Sequence, residues 1–366
     1  MLGPRGMFEL RPFQKEAIES ISRHKHTLLI APTGSGKSLV FQHYLSVVRP
    51  NTRALLVSPL NALARQQAER LRAFGIPVGV GSGPVSDRGV WVVSPERLTG
   101  QALSRLREWR PDLMIVDEAH CVWEWGESFR PAFSRLPGLM REFAIPKTFW
   151  CTATLPGPAH LDLQRRMGEK IHTLGRFRLP EVLELNPIFS RLFERMDLLQ
   201  SLLVRHASDS GMIFVNTRAS AERVQRYLSH WGVGSIFYHA GMSREERVNL
   251  ERLLSARTIS DPPLWVVATS AFGMGMDYPW FRICILFEPS FTLLSVAQAL
   301  GRVGRSGLGA PARAYLLWHP DDFLRQEWLS ALADRNRTRL LEVRQWLEGG
   351  GDLRFRLEKY FNEGYE

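Results

Sequence analysis

Two short segments carry residue types and spacings that could do chemistry. Ala31-Pro32-Thr33-Gly34-Ser35-Gly36-Lys37-Ser38 follows the apolar run Thr27 to Ile30, and Asp117-Glu118-Ala119-His120 follows Leu113 to Val116. In the first, Gly34 and Gly36 let the backbone turn tightly, so that consecutive N–H groups, with those of Thr33 and Ser35, face phosphate oxygens. The N-terminus of a following helix adds partial positive charge there. Lys37 would reach the β- and γ-phosphates of a nucleotide, and the Ser38 hydroxyl would take Mg²⁺. In the second segment, Asp117 would hold Mg²⁺ directly or through water, while Glu118 polarises the attacking water. Together they point to binding and hydrolysis of a nucleoside triphosphate. A glycine-rich turn with a surface lysine, and a solvated acidic turn, are the plain alternatives. The apolar run ahead of each segment and the helix-forming stretch Ser38 to Leu45 argue against both.

Such residues need a scaffold that delivers them to one edge. Short apolar runs alternate with amphipathic stretches, the pattern of α/β domains with parallel sheets, whose ligands bind at the carboxyl ends of the strands. Strands are expected at 26–30, 54–58, 90–93, 113–116 and 148–151, with helices at 60–73 and 102–108 between them. The pattern pauses around Arg176 to Pro180 and restarts with strands near 182–186, 211–215, 235–239, 264–269, 283–287 and 313–318. The expected domains are therefore 1–180 and 181–322, followed by a helical extension over 323–366. In that extension Phe323, Trp328, Leu332, Leu340, Val343 and Leu347 fall on an apolar side. A length of 366 residues suits two domains, each with its own core.

Composition narrows the class. Lys and Arg number 47 against 37 Asp and Glu, a net charge of +10. The excess lies in residues 1–180, which carry 25 basic against 15 acidic residues. A basic first domain suits a phosphate-backbone partner, although arginine is abundant throughout. Cys121, Cys151 and Cys284 are odd in number, widely spaced and without CxxC, which argues against a disulfide framework and against a zinc site. The expectation is a cytoplasmic protein with neither a signal peptide nor a membrane span.

The second half adds Gln298-Ala299-Leu300-Gly301-Arg302-Val303-Gly304-Arg305, with Arg302 and Arg305 on one face if the segment is helical. Two guanidinium groups offered by a second domain to a phosphate site on the first would stabilise charge as the γ-phosphate leaves. A basic helix C-terminus is the plain alternative.

At this point the chain resembles the superfamily 2 helicases and, within them, the RecQ-like DNA helicases, over about residues 7 to 325. Leu10-Arg11-Pro12-Phe13-Gln14 resembles the adenine-reading motif, which implies Gln14 on the adenine edge and Arg11 beside the base. Ser58-Pro59-Leu60, Ser94-Pro95-Glu96-Arg97-Leu98, Thr152-Ala153-Thr154, Asn216-Thr217-Arg218, His239-Ala240-Gly241 and Ala268-Thr269-Ser270 follow in the family's order. Cys121 to Pro131 resembles the aromatic-rich loop that couples DNA contact to ATP hydrolysis. There Trp125 and Phe129 offer faces to unstacked bases, and Arg130 can meet a phosphate.

The resemblance implies two tandem RecA-like domains and the cofactors ATP and Mg²⁺. Its DNA contacts would fall at Ser58, Arg97, Asn216, Arg218 and Thr269 as well as in the loop, with 3′ to 5′ movement on single-stranded or tailed duplex DNA. Departures include Met7 at the adenine-stacking position, Trp123 for a small polar residue, Ala299 for a glutamate and Ser306 for an aspartate. Tyr360-Phe361-Asn362-Glu363 resembles the family's YFGE segment, and Asp352 stands about where the first zinc cysteine would be. No zinc is therefore expected, and neither a winged helix nor its strand-separating hairpin. The protein is expected to be a monomer, with a protein partner supplying a wedge or a loading function; in a bacterium it would be nucleoid-associated. A DNA-stimulated ATPase clamp without autonomous unwinding, and a DEAH-type RNA helicase, remain open.

Overall fold

Strands buried on both faces read as unbroken apolar runs, and such strands pair in parallel through helical crossovers. The computed structural model of the protein describes residues 9–81, 83–125, 131–270, 272, 278–304, 311–332 and 337–364. It divides into two units, residues 1–177 with 360–366, and residues 178–359.

The first unit runs α1 (Pro12–Arg23), β1 (His26–Ile30), α2 (Lys37–His43), β2 (Arg53–Val57), α3 (Asn61–Ala73), β3 (Val78–Val80) and β4 (Gly89–Val93). It continues with α4 (Gln101–Trp109), β5 (Leu113–Asp117), α5 (Cys121–Trp125), α6 (Leu136–Glu142), β6 (Lys147–Thr152), α7 (Gly157–Met167) and β7 (His172–Leu174). Among the described residues its sheet has seven strands in the order β3-β4-β2-β5-β6-β1-β7, every neighbour parallel. All five residues of β1, of β4 and of β5 are buried. β3 and β7 were not expected: three residues are too few for a periodicity to show.

The second unit contains β8 (Leu183–Phe189), α8 (Arg195–Arg205), β9 (Gly211–Phe214), α9 (Arg218–His230), β10 (Ser235–Tyr238), α10 (Arg244–Ala256), β11 (Trp265–Ala268) and β12 (Ile283–Leu286). α11 (Leu293–Leu300) and β13 (Ala312–Trp318) follow, and α12 (Pro320–Leu332), α13 (Arg337–Glu348) and α14 (Leu353–Asn362) form the helical extension. Its sheet, of six strands among the described residues, has the order β10-β11-β9-β12-β13-β8, again parallel. The last residues of α14 group with the first unit. No described helix is long and apolar enough to cross a membrane.

The extension corrects one expectation. Phe323, Leu340, Val343 and Leu347 are buried, but Trp328 is 63% exposed; the side chain of Leu332 lies outside the described residues. The inward face of α12 joins Phe323 to polar groups instead. Asp322 pairs with the fully buried Arg195 of α8, Arg325 pairs with the buried Glu288, and Gln326 donates to the Pro289 carbonyl. At 100° per residue Trp328 falls roughly opposite the buried Asp322, Phe323 and Gln326.

Candidate nucleotide site and nucleic-acid-facing segments

β1 ends at Ile30, the loop 31–36 follows, and α2 opens at Lys37. One strand separates β1 from β5, so the loop and Asp117 share the carboxyl edge with Thr152 at the end of β6 between them. Gly34 and Gly36 take φ of 78° and 90°, the left-handed region that a side chain disfavours. At Gly36 a Cβ would also stand 2.6 Å from Gln14 Nε2.

α1 clasps this loop. Gln14 Nε2 donates to the Gly36 carbonyl at 3.0 Å, its Oε1 accepts from the Arg11 backbone at 2.9 Å, and Arg11 Nη1 donates to the Ser35 carbonyl at 3.3 Å. Arg11 and Gln14, expected to read a base, thus stand against the phosphate loop itself. Lys37 is buried and its ammonium donates to the Ala31 and Pro32 carbonyls at 3.0 and 3.1 Å. Reaching a phosphate means exchanging those carbonyls for phosphate oxygens.

The two oxygens expected to hold Mg²⁺ are brought together. Gln67 Nε2 of α3 donates to Ser38 Oγ at 3.0 Å and to Asp117 Oδ2 at 2.9 Å, so hydroxyl and carboxylate converge on one point. A hydroxyl with a carboxylate suits a hard cation such as Mg²⁺. Burial, reinforced by the neighbouring Glu118 charge, raises the Asp117 pKa to about 6, while Lys37, Cys151 and Gln67 pull it down. Burial, then the Asp117 charge, pushes the Cys151 thiol well above its ordinary range, and Cys151 Sγ donates to Asp117 Oδ1 at 3.4 Å.

Glu118 is held at φ 51°, an uncommon conformation for a residue with a Cβ. Its N–H donates to Asp117 Oδ1 at 3.0 Å, and the next N–H, of Ala119, donates to the Cys151 carbonyl at 3.0 Å. His120 Nδ1 stands 2.9 Å from Thr152 Oγ1 and 3.4 Å from Glu118 Oε2, joining Glu118 to the Thr152-Ala153-Thr154 segment. Gln67 had not been singled out, although one signal was available: it is the polar member of the stripe Leu63, Ala64, Gln67, Ala68, Leu71, all of which are buried.

The segments expected to meet nucleic acid fare unevenly. Ser58 is wholly buried, its N–H bonded to the Val93 carbonyl, so its side chain is not presented at the surface as expected. Arg97 and Arg218 are exposed. Asn216 follows β9, takes Glu288 Oε2 on its N–H at 3.1 Å and donates from Nδ2 to the Pro289 carbonyl at 2.9 Å. Thr269 follows β11, half-buried, with its N–H on the Tyr238 carbonyl at 3.3 Å. Trp125 ends α5; Phe129 and Arg130 lie outside the described residues, as do Met7 and Arg305.

The arginine segment is not one helix. α11 carries the half-buried Gln298 but ends at Leu300, and the buried Arg302 sits in the turn beyond it, before Gly304 at φ 75°. Arg302 is therefore not on a helical face, and Arg305 lies outside the described residues.

Comparison with known proteins agrees with this architecture. The DEAD/DEAH box helicase family model matches residues 11–162, and the helicase conserved C-terminal domain model matches 194–307. An ATP-dependent DNA helicase RecQ of Pasteurella multocida is 29% identical over 87% of this chain and 51% of its own length. A protein of the same description from Synechocystis is 30% identical over 80% of this chain and 65% of its own. The chain thus spans about half to two thirds of the length of these relatives. Among solved structures, Saccharomyces cerevisiae Dbp5 bound to RNA and ADP BeF3 aligns over 92% of this chain and 93% of that one, at 16% identity and a TM-score of 0.66, a likeness of fold. The chain thus carries both domains of the DEAD/DEAH box helicases, and the relatives that span its two units are described as RecQ DNA helicases.

Proposed function

We propose that the protein is an ATP-dependent DNA helicase or translocase that couples ATP hydrolysis to 3′ to 5′ movement on single-stranded DNA and to duplex unwinding. The observation that carries this reading is the convergence of Ser38 and Asp117 on one point beside Lys37 and Glu118, at the carboxyl edge of a sheet whose sequence relatives are DNA helicases. Residues 1–180 would serve as the ATP-binding domain, 181–322 as the C-terminal helicase domain and 323–366 as a helical extension.

In this reading Thr33, Gly34, Ser35, Gly36 and Lys37 cradle the phosphates, with Arg11 and Gln14 against the loop. Ser38 and Asp117 would hold Mg²⁺, which would supply positive charge against the phosphates, and Glu118 would orient the attacking water. Gln298, Arg302 and Arg305 would act from the second domain on the γ-phosphate. Trp125, Phe129, Arg130, Arg97, Asn216, Arg218, Thr269 and the turn Ser58 to Asn61 would meet single-stranded or tailed duplex DNA, and a protein partner would supply a wedge or loading function.

The test is ATPase turnover with single-stranded DNA, with RNA and with neither, followed by strand displacement on a tailed duplex. Stimulation by DNA over RNA together with displacement is expected. DNA stimulation without displacement would reduce the reading to a clamp, and stimulation by RNA alone would overturn it.

A further inference from the structure

Gln67 is placed as a brace between the cation ligands and the helix that carries it. It is 5% exposed, and its amide N–H groups are spent on Ser38 Oγ and Asp117 Oδ2, while Oε1 is buried with no partner among the described residues. A primary amide gains nothing from leaving a buried carbonyl unpaired, which costs free energy unless another state of the site uses it. Each oxygen keeps a second lone pair, but Gln67 Nε2 stands 3.0 and 2.9 Å from the two, in the place between them that a cation taking both would occupy. Metal binding and this bridge therefore compete.

The backbone that carries Gln67 leads directly to a second place of interest. α3 begins at Asn61, its first turn tied by the Ala64 N–H to the Leu60 carbonyl at 2.9 Å, immediately after Ser58-Pro59-Leu60. Leu63, Ala64, Ala68 and Leu71 anchor the helix in the core, and Ser58 is bonded to the β4 end through Val93. A helix moves as a rigid element, so a shift imposed at its first turn is felt at Gln67.

We propose that Gln67 is a positioning residue that makes cation occupancy of the Ser38–Asp117 pair and the setting of the Ser58 to Asn61 turn mutually dependent. The bridge holds the cation-free site. Nucleic acid drawing on the turn shifts α3, loosens the bridge and eases cation entry; by linkage, a bound cation alters affinity at the turn to the same degree. The nucleic-acid half of this inference rests on the function proposed above, whereas the bridge itself rests on the two hydrogen bonds.

The experiment is a Mg²⁺ titration of fluorescent ADP binding at pH 8, with and without a poly-dT oligonucleotide, on wild type, Gln67→Ala and the volume-conserving Gln67→Leu, with circular dichroism to report folding. In wild type the oligonucleotide is expected to lower the half-saturating Mg²⁺. Without oligonucleotide, each variant is expected to need about threefold to tenfold less Mg²⁺ than wild type, because two hydrogen bonds no longer compete. The oligonucleotide should no longer shift the variants. Folded variants that titrate like wild type, or that need more Mg²⁺, would overturn the competition, and variants that keep the oligonucleotide shift would overturn the coupling. An oligonucleotide without effect on wild-type binding and turnover would instead sink the DNA reading, and the variants' own Mg²⁺ requirement would still decide the bridge.

Discussion

Lys37 and Glu118 stand within one site, yet their removal should have different consequences. Lys37 supplies a buried positive charge whose present partners are two loop carbonyls, so Lys37→Ala removes a phosphate contact and should weaken nucleotide binding as well as turnover. Glu118→Gln keeps the shape held by the Asp117 and Cys151 contacts, so nucleotide binding should survive while turnover falls by about a hundredfold or more. Titration with a fluorescent nucleotide beside a phosphate-release assay separates the two. Near-normal turnover in either variant would show that hydrolysis occurs elsewhere.

At the scale of elements, α12 is fastened to the second unit by a buried ion pair beside the buried Phe323. Arg195 is fully buried and its guanidinium reaches Asp322, the Ser190 carbonyl and the Phe287 carbonyl. Truncating one partner leaves the other charge buried and unpaired, so Asp322→Ala should cost about 3–5 kcal/mol in chemical denaturation. A double replacement of Arg195 and Asp322 by apolar residues should be milder, and equal losses would refute this account.

The helices and strands around β1 carry a second, pH-dependent term. Burial, the largest cause for each, lowers the pKa of His26 at the start of β1 and of His160 on α7. Their folded forms favour the neutral imidazole. The stability they contribute is therefore complete above the unfolded value of about 6.5 and is lost as pH falls below it. Asp117 works in the opposite sense, because its raised pKa favours the folded state as pH falls from about 6 toward the ordinary carboxylate range. The thermal midpoint of His160→Gln should therefore fall less than that of wild type between pH 7.5 and 5. Parallel profiles would mean that folding does not shift the His160 pKa.

At the scale of the whole molecule, the last helix takes part in both units. Its Arg354 donates to the Leu179, Pro180 and Leu183 carbonyls and Glu358 accepts from the Leu179 N–H at 3.0 Å, all within the second unit. Beyond it, within the first unit, Asn362 brackets Phe177, accepting from its N–H and donating to its carbonyl, both at 2.9 Å. Phe361 is fully buried, its ring 4.4 Å from that of Phe177. Phe361→Ala should destabilise by about 3–5 kcal/mol, the ordinary cost of emptying a buried aromatic site. Denaturation followed by fluorescence and by nucleotide release reads it, and an unchanged midpoint would show that α14 is dispensable to the core.

Local order was enough to make the phosphate loop, the paired acids and the alternation of strand and helix legible. Each depends on residues within one strand, turn and helix, so spacing alone carries the geometry. The two parallel sheets followed from buried apolar runs for the same reason, and only the three-residue strands Val78–Val80 and His172–Leu174 were too short to show. Tertiary structure alone decided what depends on partners far apart in the chain. It placed Gln67 across Ser38 and Asp117, set Gln14 on Gly36, turned Ser58 inward beside Val93, ended the α11 helix before Arg302, and put Asp322 rather than Trp328 against the core. A polar side chain on an apolar stripe has no visible partner in sequence, because the satisfying atoms lie on other elements.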